Sequence, residues 1–183
     1  MARAQGAEVV DFSKEPPVET IRELTGGIGV DRVIDAVGID AVHPDDAPDE
    51  EVEAFRREVE EVAPDANPQE GNWEPGNGPS QVLRWGVEAL AKAGTLAIIG
   101  VYAPPVETFP IGAAMMKNLT IRMGNCNHRR YIPDLVNKVK SHVIDPRNVL
   151  TQAEPLTSAI EAYKTFDKRE AGWVKVALLP AQA

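Results

Sequence analysis

The chain has 183 residues, 43% hydrophobic and 26% charged, enough for a core burying roughly 70% of the unfolded surface. Its net charge of −9 is concentrated: residues 39–79 hold thirteen Asp or Glu and two Arg, a local −11, which leaves +2 elsewhere. Neither part is a basic footprint for nucleic acid, no apolar run reaches the ~18 residues of a membrane span, and the single cysteine, Cys126, excludes an internal disulfide.

"MARAQGAEVV" lacks the apolar core of a signal peptide, which points to a cytoplasmic protein. "AEVVDF" (7–12) reads as a short strand. "PPVETIRELTGG" reads as a helix over 16–25, with proline at its start, Val18, Ile21 and Leu24 on one face, and Gly26-Gly27 as its stop. "VDRVIDAVG" (30–38) follows as a β-branched strand of the kind buried on both faces of a parallel sheet. Asp35 lies inside it, and a buried carboxylate requires partners. This is a β-α-β unit, for which a right-handed crossover is the rule.

Residues 39–79 break the rhythm. "PDEEVEAFRREVEEVA" carries Val52, Phe55, Val59 and Val62 on a narrow helical stripe. The segment is either a solvated insertion or a lid or partner-docking element. Helical spacing returns at "PSQVLRWGVEALAKAG", with Ser80 as N-cap and Gly94 at the end. Strand "TLAIIGVY" (95–102), a short helix near 111–117, strand "LTIRMG" (119–124) and a helix from about 132, with Pro133 in its first turn, come next. The tail reads as a strand near 149–153, a helix with Ala159, Ile160, Tyr163 and Phe166, and a last strand "WVKVALL". Alternating strands and helices predict an α/β fold with a mostly parallel sheet.

Three strands run into glycine, at "DAVG", "IIGVY" and "RMGN". Glycine there permits close backbone approach, and a dinucleotide lies along this carboxyl edge in open α/β sheets. The phosphate-binding G-x-G-x-x-G between strand and helix is absent: "GNGPSQ" has no strand before it, and "GIGVDR" stands between a helix and a strand. Cys126-x-His128 is too few ligands for a tetrahedral metal site. Arg129 and Arg130 read either as an anion contact or as a solvated loop or subunit contact.

At "GAEVVDF", "ELTGGIGVDRVIDAVG", "GTLAIIGVY", "FPIGAAMMKNLTIRMGN", "RYIPDLVNKV" and "WVKVALLP" the chain resembles the medium-chain, zinc-dependent alcohol dehydrogenases, in particular the formaldehyde-dehydrogenase-like branch. The resemblance covers the back part of such an enzyme. It implies a partial Rossmann-like parallel sheet with flanking helices over 1–148, lacking the first βαβ unit and interrupted by the acidic insertion 39–79. Residues 149–183 would be a C-terminal return segment of the GroES-like catalytic domain. The implied activity is hydride transfer between an alcohol or aldehyde adduct and NAD, with zinc ligands that this chain does not contain. Carried over by position, Val37 and Gly38 would lie beside the adenosine half of NAD, and His43 would be a looser cofactor contact. Ile99, Gly100, Val101 and Tyr102 would run along the nicotinamide ribose and carboxamide, Gly124, Asn125 and Cys126 would close the nicotinamide end, and Lys175 would approach the pyrophosphate. The resemblance also implies a homo-oligomer formed through strand 119–124. For this chain alone the expectation is weak or absent NAD binding and no turnover. The alternatives are a non-catalytic fragment acting at most in association, and a zinc-free relative of the quinone or enoyl reductase type.

Overall fold

The computed structural model describes residues 2–62, 76–104, 106 and 108–180, which form two compact units, one within 2–62 and 76–125 and one of 126–180. No helix of the described residues is long and apolar enough to cross a membrane.

The first unit contains α1 (Pro17–Leu24), β1 (Val30–Asp35), α2 (Asp49–Val62), α3 (Gln81–Ala89), β2 (Leu90–Ile98), α4 (Ile111–Met116) and β3 (Thr120–Met123). Pro17 opens α1, where a missing N–H is harmless. The three strands are parallel, in the order β1-β2-β3. Leu83 and Val87 of α3 pack on the sheet with Leu90, Leu96, Ile98 and Ala114, and Val33 and Ile121 join them from the same side. The fold class is therefore α/β, as expected.

Within the first unit, the described residues cover one face of the sheet. Val33, Leu96 and Ile121 lie side by side in register and belong to the packed face, whereas the adjacent row is Ile34, Ala97 and Arg122. Ile34 is 68% exposed, which corrects the expectation of a strand buried on both faces.

Residues 7–12 are not a strand. The Asp11 carboxylate accepts hydrogen bonds from the Ser13 amide, the Ser13 hydroxyl and Lys14 Nζ, which turns the chain just after Val10. Phe12 then lies 5.5 Å, ring to ring, from Trp85 of α3. Only two β-branched residues precede this turn, and the local polar contacts win.

Helix α3 also departs from its expected ends. It stops at Ala89 rather than near Gly94. Lys117 Nζ donates to the carbonyls of Val87, Glu88 and Leu90 at 2.9, 2.8 and 2.7 Å, so an ammonium closes the helix. At the other end, Ser80 makes no cap of its own. Its amide and hydroxyl donate instead to Glu58 of α2, at 3.1 and 2.9 Å.

The second unit holds α5 (His128–Lys140), β4 (Gln152–Pro155), α6 (Ala159–Asp167) and β5 (Val176–Leu179), with β4 and β5 parallel. Helix α5 begins four residues before the expected position because Asn127 Oδ1 accepts from the Arg130 amide at 3.2 Å. Pro133 therefore lies inside the helix and not in its first turn. Residues 149–151 precede β4, and a 3-10 turn over Pro146–Val149 stands where the strand was expected to begin.

Candidate functional site

Asp35, Ile98 and Met123 occupy one row of the sheet, so the strands end level. The residues just past them share one carboxyl edge: Val37 and Gly38 after β1, Ile99 through Tyr102 after β2, and Gly124 and Asn125 after β3. Eight of the residues singled out from the sequence are thus brought together by register.

Asp35 is the anchor of this edge. It is fully buried, and its Oδ1 accepts from the amides of Val37 (2.9 Å) and Gly38 (3.1 Å). Its Oδ2 accepts from the Tyr102 hydroxyl at 2.7 Å. Its backbone carbonyl accepts from the amides of Ile99 and Gly100, each at 2.9 Å. Burial first, then the hydrogen bond to Asp35 and the charge of that carboxylate, push the Tyr102 phenol far above its ordinary range, so it stays protonated.

The first two strand-end glycines meet each other. A Cβ on Gly100 would lie 2.3 Å from the Gly38 nitrogen, and one on Gly38, at φ +69°, would lie 2.3 Å from the Val101 carbonyl oxygen. Close backbone approach was the correct inference, but the partner of each loop is the other loop. Around this joint, Val37, Ile99 and Val101 are 46%, 68% and 74% exposed, forming an apolar rim. Gly124, at φ +125°, has open space where a side chain would project.

The other three singled-out residues lie elsewhere. The His43 ring stacks on Phe55 of α2, centroids 5.8 Å apart and planes 7° apart, and its Nδ1 lies 2.7 Å from the Pro44 carbonyl oxygen. Cys126 is exposed at the start of the second unit. Lys175, also in the second unit, lines a cavity of about 150 Å³ with Ala162, Tyr163, Phe166, Val176 and Leu178.

Sequence reasoning missed the contacts that hold the acidic segment. Phe55 is fully buried between the His43 ring and the Arg84 guanidinium, which stands 5.0 Å from its centroid. Glu58, 7% exposed, accepts from Ser80 and lies 3.4 Å from Arg84. Helix α2 is therefore docked, not merely solvated. No local signal announces this, because Glu58 sits among other acids and its partners are more than twenty residues away. The glycines of "GNGPSQ" are used here too: the amides of Gly76 and Gly78 donate to the carbonyls of Ile39 and Ala41, each at 3.0 Å. That agrees with reading the motif as unrelated to phosphate.

Chemically, the edge offers backbone groups, apolar side chains and the exposed amide side chain of Asn125. Its one carboxylate and one hydroxyl are engaged with each other. Among the described residues, no group of three or more His, Cys, Asp or Glu could hold a metal ion.

These features define the carboxyl edge of a three-stranded parallel sheet in an α/β unit. No protein-family model matches the chain. Over 97% of its length it is 31% identical to a zinc-type alcohol dehydrogenase-like protein, AdhB, of Bacillus subtilis, of which it covers 42%. It is 36% identical over 90 residues, 49% of its length, to a zinc-type alcohol dehydrogenase-like protein of Schizosaccharomyces pombe, covering 21% of that protein. Its fold matches an alcohol dehydrogenase from Thermus sp. ATN1 with a TM-score of 0.70 at 23% identity, over 98% of this chain and 40% of that one. Its homologues are thus zinc-type alcohol dehydrogenase-like proteins, matched over their C-terminal part. The chain spans about two fifths of the length of the Bacillus relative.

Proposed function

We propose that this chain is the cofactor-binding C-terminal part of an NAD-dependent alcohol or aldehyde dehydrogenase of the zinc-assisted, formaldehyde-dehydrogenase-like type. The observation that carries the reading is the level carboxyl edge of β1, β2 and β3, in a chain homologous over nearly its whole length to zinc-type alcohol dehydrogenase-like proteins.

In this reading Val37 and Gly38 flank the adenosine half of NAD. Ile99, Gly100, Val101 and Tyr102 run along the nicotinamide ribose and carboxamide, and Gly124, Asn125 and Cys126 close the nicotinamide end. Lys175 offsets pyrophosphate charge, and residues 149–183 return to the catalytic domain. His43 enters only by its position, since its ring is engaged by Phe55. When bound, NAD supplies the hydride acceptor. The residues of this chain shape an apolar rim that excludes water, and Asp35 holds the two loops of that rim together. Zinc has no ligand set among the described residues, so no step is assigned to it here. Association of two copies through β3, an edge strand of the sheet, completes the proposal.

Calorimetric titration tests the reading. Alone, the chain lacks the glycine loop and helix N-terminus that hold pyrophosphate, so no micromolar NAD affinity is expected. Substituted for the matched region of the Bacillus relative, it should restore NAD binding and alcohol-dependent NADH formation. A folded chimera that binds no NAD would sink the reading.

A further inference from the structure

Asn77-Gly78 is the only Asn-Gly pair in the sequence. Asparagine is chemically labile, most of all before glycine, where no Cβ keeps the next backbone nitrogen from the side-chain carbon. The fold nevertheless uses both residues. Asn77 Oδ1 accepts from the His43 amide at 3.0 Å, and a Cβ at the buried Gly78 would lie 2.9 Å from the His43 nitrogen. Asn77 itself is exposed to water.

The same contacts govern the chemistry of the pair. The His43 N–H polarises the Asn77 side-chain carbonyl, which favours attack on its carbon. The nitrogen that would attack is held back, because the Gly78 N–H donates to the Ala41 carbonyl at 3.0 Å. Attack requires that proton to leave, so it waits until this hydrogen bond opens. Helix α2 braces both sides of the contact. Phe55 stacks on the His43 ring, and Glu58 accepts from the amide and hydroxyl of Ser80, just beyond Gly78.

We propose that Asn77-Gly78 is a self-modification site whose rate is set by the docking of α2. When 76–78 parts from 41–43, hydroxide takes the Gly78 amide proton and the nitrogen bonds to Asn77 Cγ. The bond from Cγ to the side-chain nitrogen then breaks, and ammonia leaves after taking a proton from water. Water opens the resulting succinimide at either carbonyl, leaving aspartate or isoaspartate at position 77. The net change consumes water, releases ammonia and involves no oxidation. The new carboxylate adds to a segment, 39–79, that already carries −11. Isoaspartate also lengthens the main chain by a methylene, so the contacts of residues 77 and 78 cannot both be remade. The modified segment therefore stays released. This inference does not depend on NAD binding.

The test incubates the 183-residue chain in mildly alkaline buffer and follows residue 77 by peptide mass mapping and isoaspartate-specific methylation. Conversion tracks the population of the open form, so Glu58→Ala should speed it about tenfold or more. A second measurement does not depend on that variant folding. Hydrogen exchange of the Gly78 amide in the parent needs the same opening. Its protection factor should match, within about threefold, the slowing of conversion relative to an unfolded peptide of the same sequence. Chains carrying isoaspartate should be cut by trypsin at Arg56 and Arg57 faster than unmodified ones. Three results overturn the proposal: no acid formed at 77 in parent or variant; slowing that does not follow the Gly78 protection factor; or isoaspartate chains cut no faster than unmodified ones.

Discussion

The Tyr102 hydroxyl donates to Asp35 Oδ2 across 2.7 Å, tying the loop after β2 to the end of β1. Tyr102→Phe leaves a buried carboxylate oxygen without its donor, at an expected cost of about 1–3 kcal/mol, readable by urea unfolding. The same bond sets a pH dependence. The folded phenol is held above its ordinary value of 10.0, so its contribution is complete below pH 10.0 and is lost as the pH rises through the folded value. Absorbance titration of tyrosinate should show one phenol whose ionisation accompanies alkaline unfolding. That phase should be missing in Tyr102→Phe.

Two glycines should respond to alanine with opposite signs. At Gly100 the new methyl would lie 2.3 Å from the Gly38 nitrogen and 2.9 Å from the buried Asp35 Oδ1, and overpacking of this kind costs about 1–3 kcal/mol or more. At Gly112, inside α4, nothing lies within 4 Å of the new methyl. Alanine there should stabilise by about 0.5–1 kcal/mol through helix propensity. Equal melting shifts for the two variants would contradict the assigned joint between Gly38 and Gly100.

Glu58→Ala should release α2. It removes the acceptor for the Ser80 amide and hydroxyl, at a cost of about 1–3 kcal/mol. Limited trypsinolysis at Arg56 and Arg57 should then outpace the parent chain. Cleavage at an unchanged rate would mean that the Glu58 contact does not hold the helix.

In the second unit, hydrogen bonds from the Arg147 side chain and amide hold the Asp145 carboxyl at about 2, below its ordinary 3.8. Because the folded value is the depressed one, the stabilisation is present above pH 3.8 and disappears as the pH falls through 2. Both groups are exposed, so salt should weaken the effect. Carbon-detected titration of Asp145 in the parent and in Arg147→Gln should show the midpoint return towards 3.8.

What the sequence reveals here depends on how local the cause is. β-branched runs before glycine locate β1 and β3 to within a few residues, because burial and strand propensity act on the same positions, whereas β2 spans Leu90–Ile98 and not the expected 95–102. Residues 7–12 mislead because Asp11 captures Ser13 and Lys14 in a turn, a polar competition that hydropathy does not register. Ser80 misleads in another way. It has the correct chemistry for a cap, but a carboxylate 22 residues away takes both of its donors. At the site, the glycines signal a close approach without naming its partner, and Asp35 signals a need for donors that Val37, Gly38 and Tyr102 meet.

Helix α3 has both ends closed by side chains from elsewhere: Glu58, 22 residues before Ser80, and Lys117, 27 to 30 residues beyond the carbonyls it serves. Nine residues make a marginal helix in isolation. During synthesis the acid that closes its start is already outside the ribosome, while the lysine that closes its end emerges only after α4 has been made. The central helix of the first unit therefore cannot be an early, self-sufficient nucleus. Its completion waits on distant contacts, which raises the contact order and slows folding.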